Sequence, residues 1–299
     1  MAVATVVLRR RELLDDVERR LDAPGLVTGA TLVVVLLSTT GAWYVAAPVA
    51  LVAAAGLLWP GLRERPALWW ALAGFLAAGV HQVWTRADNH QYLIVYWVLA
   101  LALAAASSDP ARARAAAARW LLAAVFVLAT AWKLTNPAFV DGSFFEFTLL
   151  TDSRFEPVAT VLGGVAEADL EANRTVFEVM DGAEPGTSVG LLGRSARLVL
   201  LADVLTLWTL AIEGLVALAF LAPAGSRLGR GRDQVLLVFV VTTYLAAPVL
   251  GFGWMLLVLG LAQRRGSPER HLRLAYVAAF VVVRLAATPL TAIAAGAAT

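Results

Sequence analysis

Of the 24 basic residues in this 299-residue chain, 23 are arginine and one is lysine, Lys133. It closes an apolar run, "LLAAVFVLATAWKL", where a charge is costly. Two readings of it stand. An ammonium near a helix end snorkels to the headgroups along its four-carbon stem. Arginine snorkels equally well and is this chain's habit, but arginine does not release its proton in a protein. A desolvated lysine does. Keeping a single lysine here fits a general base. A second cluster, "RADNHQYL", carries His90 with Asp88, Asn89 and Tyr92, and His81 lies shortly before it. The plain alternative for His90 is a satisfied side chain at the membrane interface. Asp203 and Glu213 fall inside the apolar stretch "LLADVLTLWTLAIEGLVALAF", and Arg284 inside "FVVVRLAATPL". Charges at such depth are rare and usually pair within a bundle. Glu213 and Arg284 sit at similar depths from the cytoplasmic side, so an ion pair between them is expected. Asp203 is nearer the outer face, within the lysine's surroundings.

The elements that must position these residues are apolar helices. The chain is 60% hydrophobic, with a mean hydropathy of +0.75, above the roughly half apolar usage of soluble domains. Apolar runs of bilayer-crossing length recur along it. The expected fold is an all-α polytopic membrane protein, one transmembrane helical domain over residues 1–299. Nine helices are expected, near 25–42, 44–62, 67–85, 91–108, 117–135, 197–222, 234–249, 251–263 and 272–295. "PARARAAAARW" reads as a cytoplasmic connector. Arginine clusters at 9–11, 19–20, 63–65, 112–119, 227–232 and 264–265 share the cytoplasmic side only if 234–263 is two spans broken at "APVLGFG". Residues 1–24 are then a cytoplasmic amphipathic segment, and the chain is a multi-pass membrane protein with its N-terminus inside.

Residues 136–196 fall outside, as a re-entrant or cap region. The part from 151 on is rich in acids, and "EADLEANRTVFEVM" suits a short helix. The "NRT" within it matches a glycosylation sequon, a frequent chance match. This topology gathers Lys133, His90, Asp88 and Asn89 at the outer face, with His81 about one turn below it. A net charge of +2, spread over inter-helix clusters, points away from nucleic acid and toward the lipid bilayer. The absence of cysteine excludes disulfide, CxxC and thiol-redox chemistry. Three scattered histidines suggest no metal site.

Two motifs carry a resemblance. "DNHQYL" at 88–93 and "WKLTNPAFVDGSFFEF" at 132–147 resemble, in order and placement, the membrane domain of vitamin K-dependent gamma-carboxylase and its wider horizontally transferred transmembrane (HTTM) family. "IEGLVALAFL" from 212 and "GFGWMLLVLGL" from 251 are similar to its later segments. The resemblance spans roughly residues 10–263. It implies a lyase of the carboxylase type that uses a reduced quinone, menaquinol or vitamin K hydroquinone, and oxygen. Lys133 would deprotonate the quinol, and His90 would steady the developing oxyanion. Asp88, Asn89, Tyr92, His81 and Asp203 are further candidates for holding substrate or cofactor. The acceptor would be a peptide or small molecule on the outer side. Trp132 stands where the family has the first of two lysines, and the carboxylase's large luminal region has no counterpart in these residues, which leaves the carboxylated substrate open. The competing function is a non-catalytic lipid- or quinone-binding or transport-type protein on the same scaffold. A transporter is expected to show paired discontinuous helices in two halves, and only one break is visible.

Overall fold

The computed structural model describes residues 25–38, 42–180, 190–247, 249–264 and 270–286. The expected amphipathic segment 1–24 and residues 287–295 of the expected last helix lie outside them. The described residues are all-α, with no strand among them. In chain order the helices are α1 (Leu26–Ser38), α2 (Trp43–Leu58), α3 (Pro66–Gln82), α4 (Asn89–Ala105), α5 (Pro110–Thr135), α6 (Pro137–Val140) and α7 (Ser143–Thr151). There follow α8 (Glu156–Val161), α9 (Glu167–Met180), α10 (Ala196–Leu221), α11 (Arg227–Arg230), α12 (Arg232–Ala246), α13 (Leu250–Ala262) and α14 (Arg270–Ala286). Only α5 and α10 are both long and apolar enough to cross a bilayer unaided; α1, α2, α4 and α13 are shorter apolar helices.

Local chemistry sets the boundaries. α3, α5 and α6 each begin at proline, whose fixed φ suits a first helical position and whose missing N–H is not needed there. Asp109 Oδ1 accepts the Arg112 backbone N–H at 3.0 Å at the start of α5. The alanines and arginines of "PARARAAAARW" are strong helix formers. The connector expected there is in fact the first turns of α5, which therefore starts earlier than 117. α10 is capped by Ser195, whose side chain accepts from Leu198 N at 3.2 Å. The break expected at "APVLGFG" is present, between Ala246 and Leu250.

The helices gather in two compact units, residues 1–122 with 249–299, and residues 123–248. In the first, α1 packs on α2, α2 on α3 and α3 on α4, and α13 lies against α1, α4 and α14. Trp97 is fully buried, and its indole N–H donates to Thr31 Oγ1 at 2.9 Å. Trp254 stacks on Phe280 at 5.0 Å between centroids.

In the second unit α10 packs on α12 and α7, and Phe126 meets Phe239 edge-on at 4.8 Å. The segment expected as a cap has its own apolar core. Phe139, Phe145, Leu149, Leu150, Val165 and Leu170 close over Leu198 and Ala202 at the start of α10. The helix expected from "EADLEANRTVFEVM" is α9. Asn173 of the sequon is buried. Its side chain donates to Leu192 O at 3.0 Å and accepts from Leu192 N at 2.8 Å. That amide staples the cap, so the sequon match reflects structure.

Candidate functional site

Lys133 lies in the last turn of α5. Beyond it the chain reverses through short-range bonds that leave little slack. Asn136 Oδ1 accepts from Ala138 N at 3.1 Å, Asp141 Oδ1 accepts from Ser143 N at 2.9 Å, and Ser143 Oγ donates to Ala138 O at 3.1 Å. Gly142, with φ of 81°, completes the turn in the left-handed region where a β-carbon is strained. The reversal folds an aromatic group back over the end of α5. Trp132, Phe139, Phe144 and Phe145 stand 5.3–6.5 Å apart in edge-on and tilted pairs. The ammonium of Lys133 sits 5.5 Å from the centre of the Phe139 ring.

That ammonium is committed. It donates to both oxygens of Glu213, at 2.7 and 3.0 Å. The two side chains are only 15% and 10% exposed. The expected partner of Glu213 was Arg284; the structure gives its carboxylate to Lys133 instead. Matching depths along separate helices misled the sequence reading. It placed Lys133 at an interface, whereas α10 extends far enough past the end of α5 to bring residue 213 level with residue 133. Snorkelling is likewise replaced by a buried pair. Arg284 belongs to the first unit, on an exposed position of α14.

The face of α10 that carries Glu213 also carries Thr206 and Asp203, at intervals of seven and three residues. Gly142 is pressed against this stripe. A β-carbon there would fall 2.8 Å from Asp203 Oδ1, so Asp203 flanks the cap turn rather than the amine. The hydroxyls of Thr206 and of Thr130, which is one turn before Lys133, are buried without a hydrogen-bond partner. Sequence reasoning missed Gly142 and both threonines; the "VDGS" turn signal was the one available clue. Tyr244 on α12, 2% exposed, is within electrostatic reach of Glu213.

The remaining candidates belong to the first unit. His90, near the start of α4, has Nδ1 3.9 Å from Asp88 Oδ2, and its side chain is 14% exposed. Its ring packs on the first turn of α13, where a β-carbon at Gly251 would come within 2.6 Å of Cδ2 and 2.9 Å of Nε2. Tyr92 donates its hydroxyl to the Trp84 carbonyl, which closes the α3–α4 turn. Asn89 and His81 are exposed. Each unit thus holds part of the expected set: Lys133 and Asp203 in the second, His90 with its neighbours and His81 in the first. No group of acidic or histidine side chains able to hold a metal occurs among the described residues. Compared with known proteins, the chain matches no family model, no curated protein and no solved structure.

Proposed function

We propose that this chain is a polytopic integral membrane protein with nine membrane-spanning helices in which the Lys133–Glu213 pair handles a proton during oxidation of a reduced quinone, as in HTTM-like carboxylases. The membrane reading rests on the outward face of α10. Leu200, Val204, Leu207 and Leu218 are exposed, and the buried face, Leu198, Ala202, Ile212, Val216 and Phe220 with Thr206 and Glu213, is largely apolar as well. A surface helix of a soluble protein keeps polar residues on its outer face. Within the first unit Trp43, Leu51 and Trp59 are exposed, and in the second so is Leu128, which adds apolar residues at the surface of both units. If the inner interface lies at Arg119 and Trp120, Lys133 is about 20 Å deeper at 1.5 Å per residue, well inside a hydrocarbon core of roughly 30 Å.

The observation that carries the catalytic part is the pairing of the chain's one releasable amine with a carboxylate in dry surroundings. A reduced quinone supplies an acidic hydroxyl and, after deprotonation, reactivity toward oxygen. The side chains' task is to take that proton. One ammonium proton passes along the 2.7 Å hydrogen bond to the Glu213 carboxylate, leaving a neutral amine and a neutral acid. The amine then accepts the quinol proton. Trp132 and Phe144 keep partly exposed aromatic faces in the group over the end of α5, where such a ring would stack.

The test is incubation of purified protein with reduced menaquinone or vitamin K under oxygen, with assay for the epoxide. Lys133→Arg keeps the charge and the pair but not the releasable proton. It should lose turnover by about 100-fold or more, the usual scale of a general base, while remaining folded. Full turnover by Lys133→Arg, or none by the wild type, would overturn this reading. A second reading has one observation in its favour. Both Glu213 oxygens already take bonds from Lys133, which is what a purely structural pair in a non-catalytic lipid or quinone binder needs.

A further inference from the structure

The first unit holds a cavity of about 1070 Å³ that the proton chemistry does not use. Its walls are the start of α1, the turn after α2 and the start of α5, and it is lined by Arg63 and Arg114 among others. Arg63 is partly spent as a cap. Its Nε donates to Gly56 O at 2.6 Å and one terminal nitrogen, Nη2, to Leu57 O at 2.9 Å, closing the end of α2. The other terminal nitrogen, Nη1, is not. It lies where β-carbons on Gly25 and Gly29 would come within 3.1 and 3.2 Å. These two glycines, four residues apart on the first turn of α1, leave the guanidinium the room it occupies. Arg114 is half-buried, and no hydrogen bond or ion pair to it is found among the described residues. Two guanidinium groups with unspent donors thus face one cavity. Asp109, also in the lining, is occupied as the cap of α5.

A second groove of about 350 Å³ runs between α1, α13 and α14; Arg273 and Tyr276 contribute to its walls, but the atoms exposed to it are apolar. Leu26, Ala30 and Val33 line both the cavity and the groove. With spacings of four and three residues they form one stripe of α1. The arrangement is therefore a polar chamber with arginine donors, joined along one helix face to a slot whose exposed atoms are apolar.

We propose that this composite site holds one phospholipid, with its phosphate on Arg63 and Arg114 and an acyl chain along Leu26, Ala30 and Val33 into the groove. Planar guanidinium donors suit phosphate oxygens, and a phosphate between partly buried arginines is screened less than one on an open surface. The apolar slot excludes a free phosphate ion as the intended ligand, because it gives such an ion nothing to contact. The site rests on the membrane reading above but not on the Lys133 chemistry.

Native mass spectrometry of the full-length protein, extracted from membranes in mild detergent, tests the site. Titrations use dioleoyl-phosphatidylglycerol, dioleoylglycerol without phosphate, and inorganic phosphate. The wild type should retain one phospholipid through delipidating washes. Arg114→Gln should weaken rebinding about tenfold, Arg114→Lys should recover part of it, and Ala30→Phe, at the joint between chamber and groove, should weaken it while leaving the phosphate-binding arginines intact. An unchanged melting temperature for Arg114→Gln shows that the loss is not misfolding. Equal retention by wild type and Arg114→Gln overturns the proposal, as does wild type that retains no lipid. Tight binding of inorganic phosphate, or equal binding of dioleoylglycerol, overturns the head-and-tail reading. Alkaline carbonate extraction distinguishes the premise: release of the chain as a soluble protein sinks the membrane reading itself, whereas a membrane-retained chain without lipid sinks only this site.

Discussion

The cap and the α5–α10 seam of the second unit hold ion pairs of the same length in opposite surroundings. Arg194 Nε meets Glu146 at 2.7 Å with the arginine 66% and the glutamate 18% exposed, and Arg174, 23% exposed, bridges Glu156 at 2.8 Å and Glu171 at 2.9 Å. Lys133 meets Glu213 at the same 2.7 Å, with neither side chain more than 15% exposed. Distance does not distinguish these pairs; hydration does. Each cap pair has one partner more than a third exposed, which keeps water whether or not the other charge is there, and such pairs contribute between 0 and about 1 kcal/mol. In the seam each partner is the main replacement for the other's lost water.

That difference has graded consequences. Glu213→Ala leaves a buried ammonium with no counter-charge and should cost about 3–5 kcal/mol, read as a large drop in the apparent melting temperature of purified protein. The double variant Lys133→Met/Glu213→Leu removes both charges and should recover most of that loss. A single variant as stable as the wild type would show that the seam is wet, and the contrast with the cap would vanish.

Gly142→Ala strikes the turn between the two regions. The new β-carbon meets Asp203 Oδ1 at 2.8 Å and sits on a left-handed backbone. A loss of about 1–3 kcal/mol is expected, with part recovered when Asp203→Ala is added.

Arg194→Ala should change stability by no more than about 1 kcal/mol, and its effect should fade at high salt. Retention of a large effect at 1 M salt, where the screening length is roughly 3 Å, would place this pair with the seam instead.

The smallest expected effect is a pH dependence in the cap. Burial pushes the Asp152 carboxyl up, but hydrogen bonds from the Arg154 side chain and backbone outweigh it and hold the group below the usual carboxylate range. Its contribution is therefore complete above the unfolded value of about 3.9 and is lost as pH falls through the lower folded value. Asp152→Asn should remove this acid-side loss, measured as melting temperature between neutral pH and about pH 3. An equally steep acid limb in the variant would exclude Asp152 as its source.

Helix positions were legible because apolar period and turn chemistry agree. The start at Pro66 and the "APVLGFG" break between α12 and α13 were read closely, whereas the start at Pro110 was placed seven residues late, at 117, because the arginines of the first turns of α5 resemble a connector. The singularity of Lys133 was legible too, since it follows from counting. Its partner was not. Depth along isolated helices assumes that neighbours begin at one level, and the cap breaks that assumption by packing on the first turns of α10. Gly142 and Gly251 were legible as turn and break signals, but their contacts were not, for a different reason. Their importance is the absence of a β-carbon beside Asp203 and His90, a contact between segments distant in sequence, which no local pattern encodes.

The order in which the first unit is assembled follows from the break before α13. α1 and α4 pack on α13, yet the whole of the second unit is synthesised in between. At roughly 5–20 residues per second, α1 to α4 leave the ribosome on the order of ten seconds before the helix that completes their packing. During that interval the α13-facing surfaces of α1 and α4 are held by whatever surrounds the nascent chain. The first unit therefore finishes last, although most of it is made first.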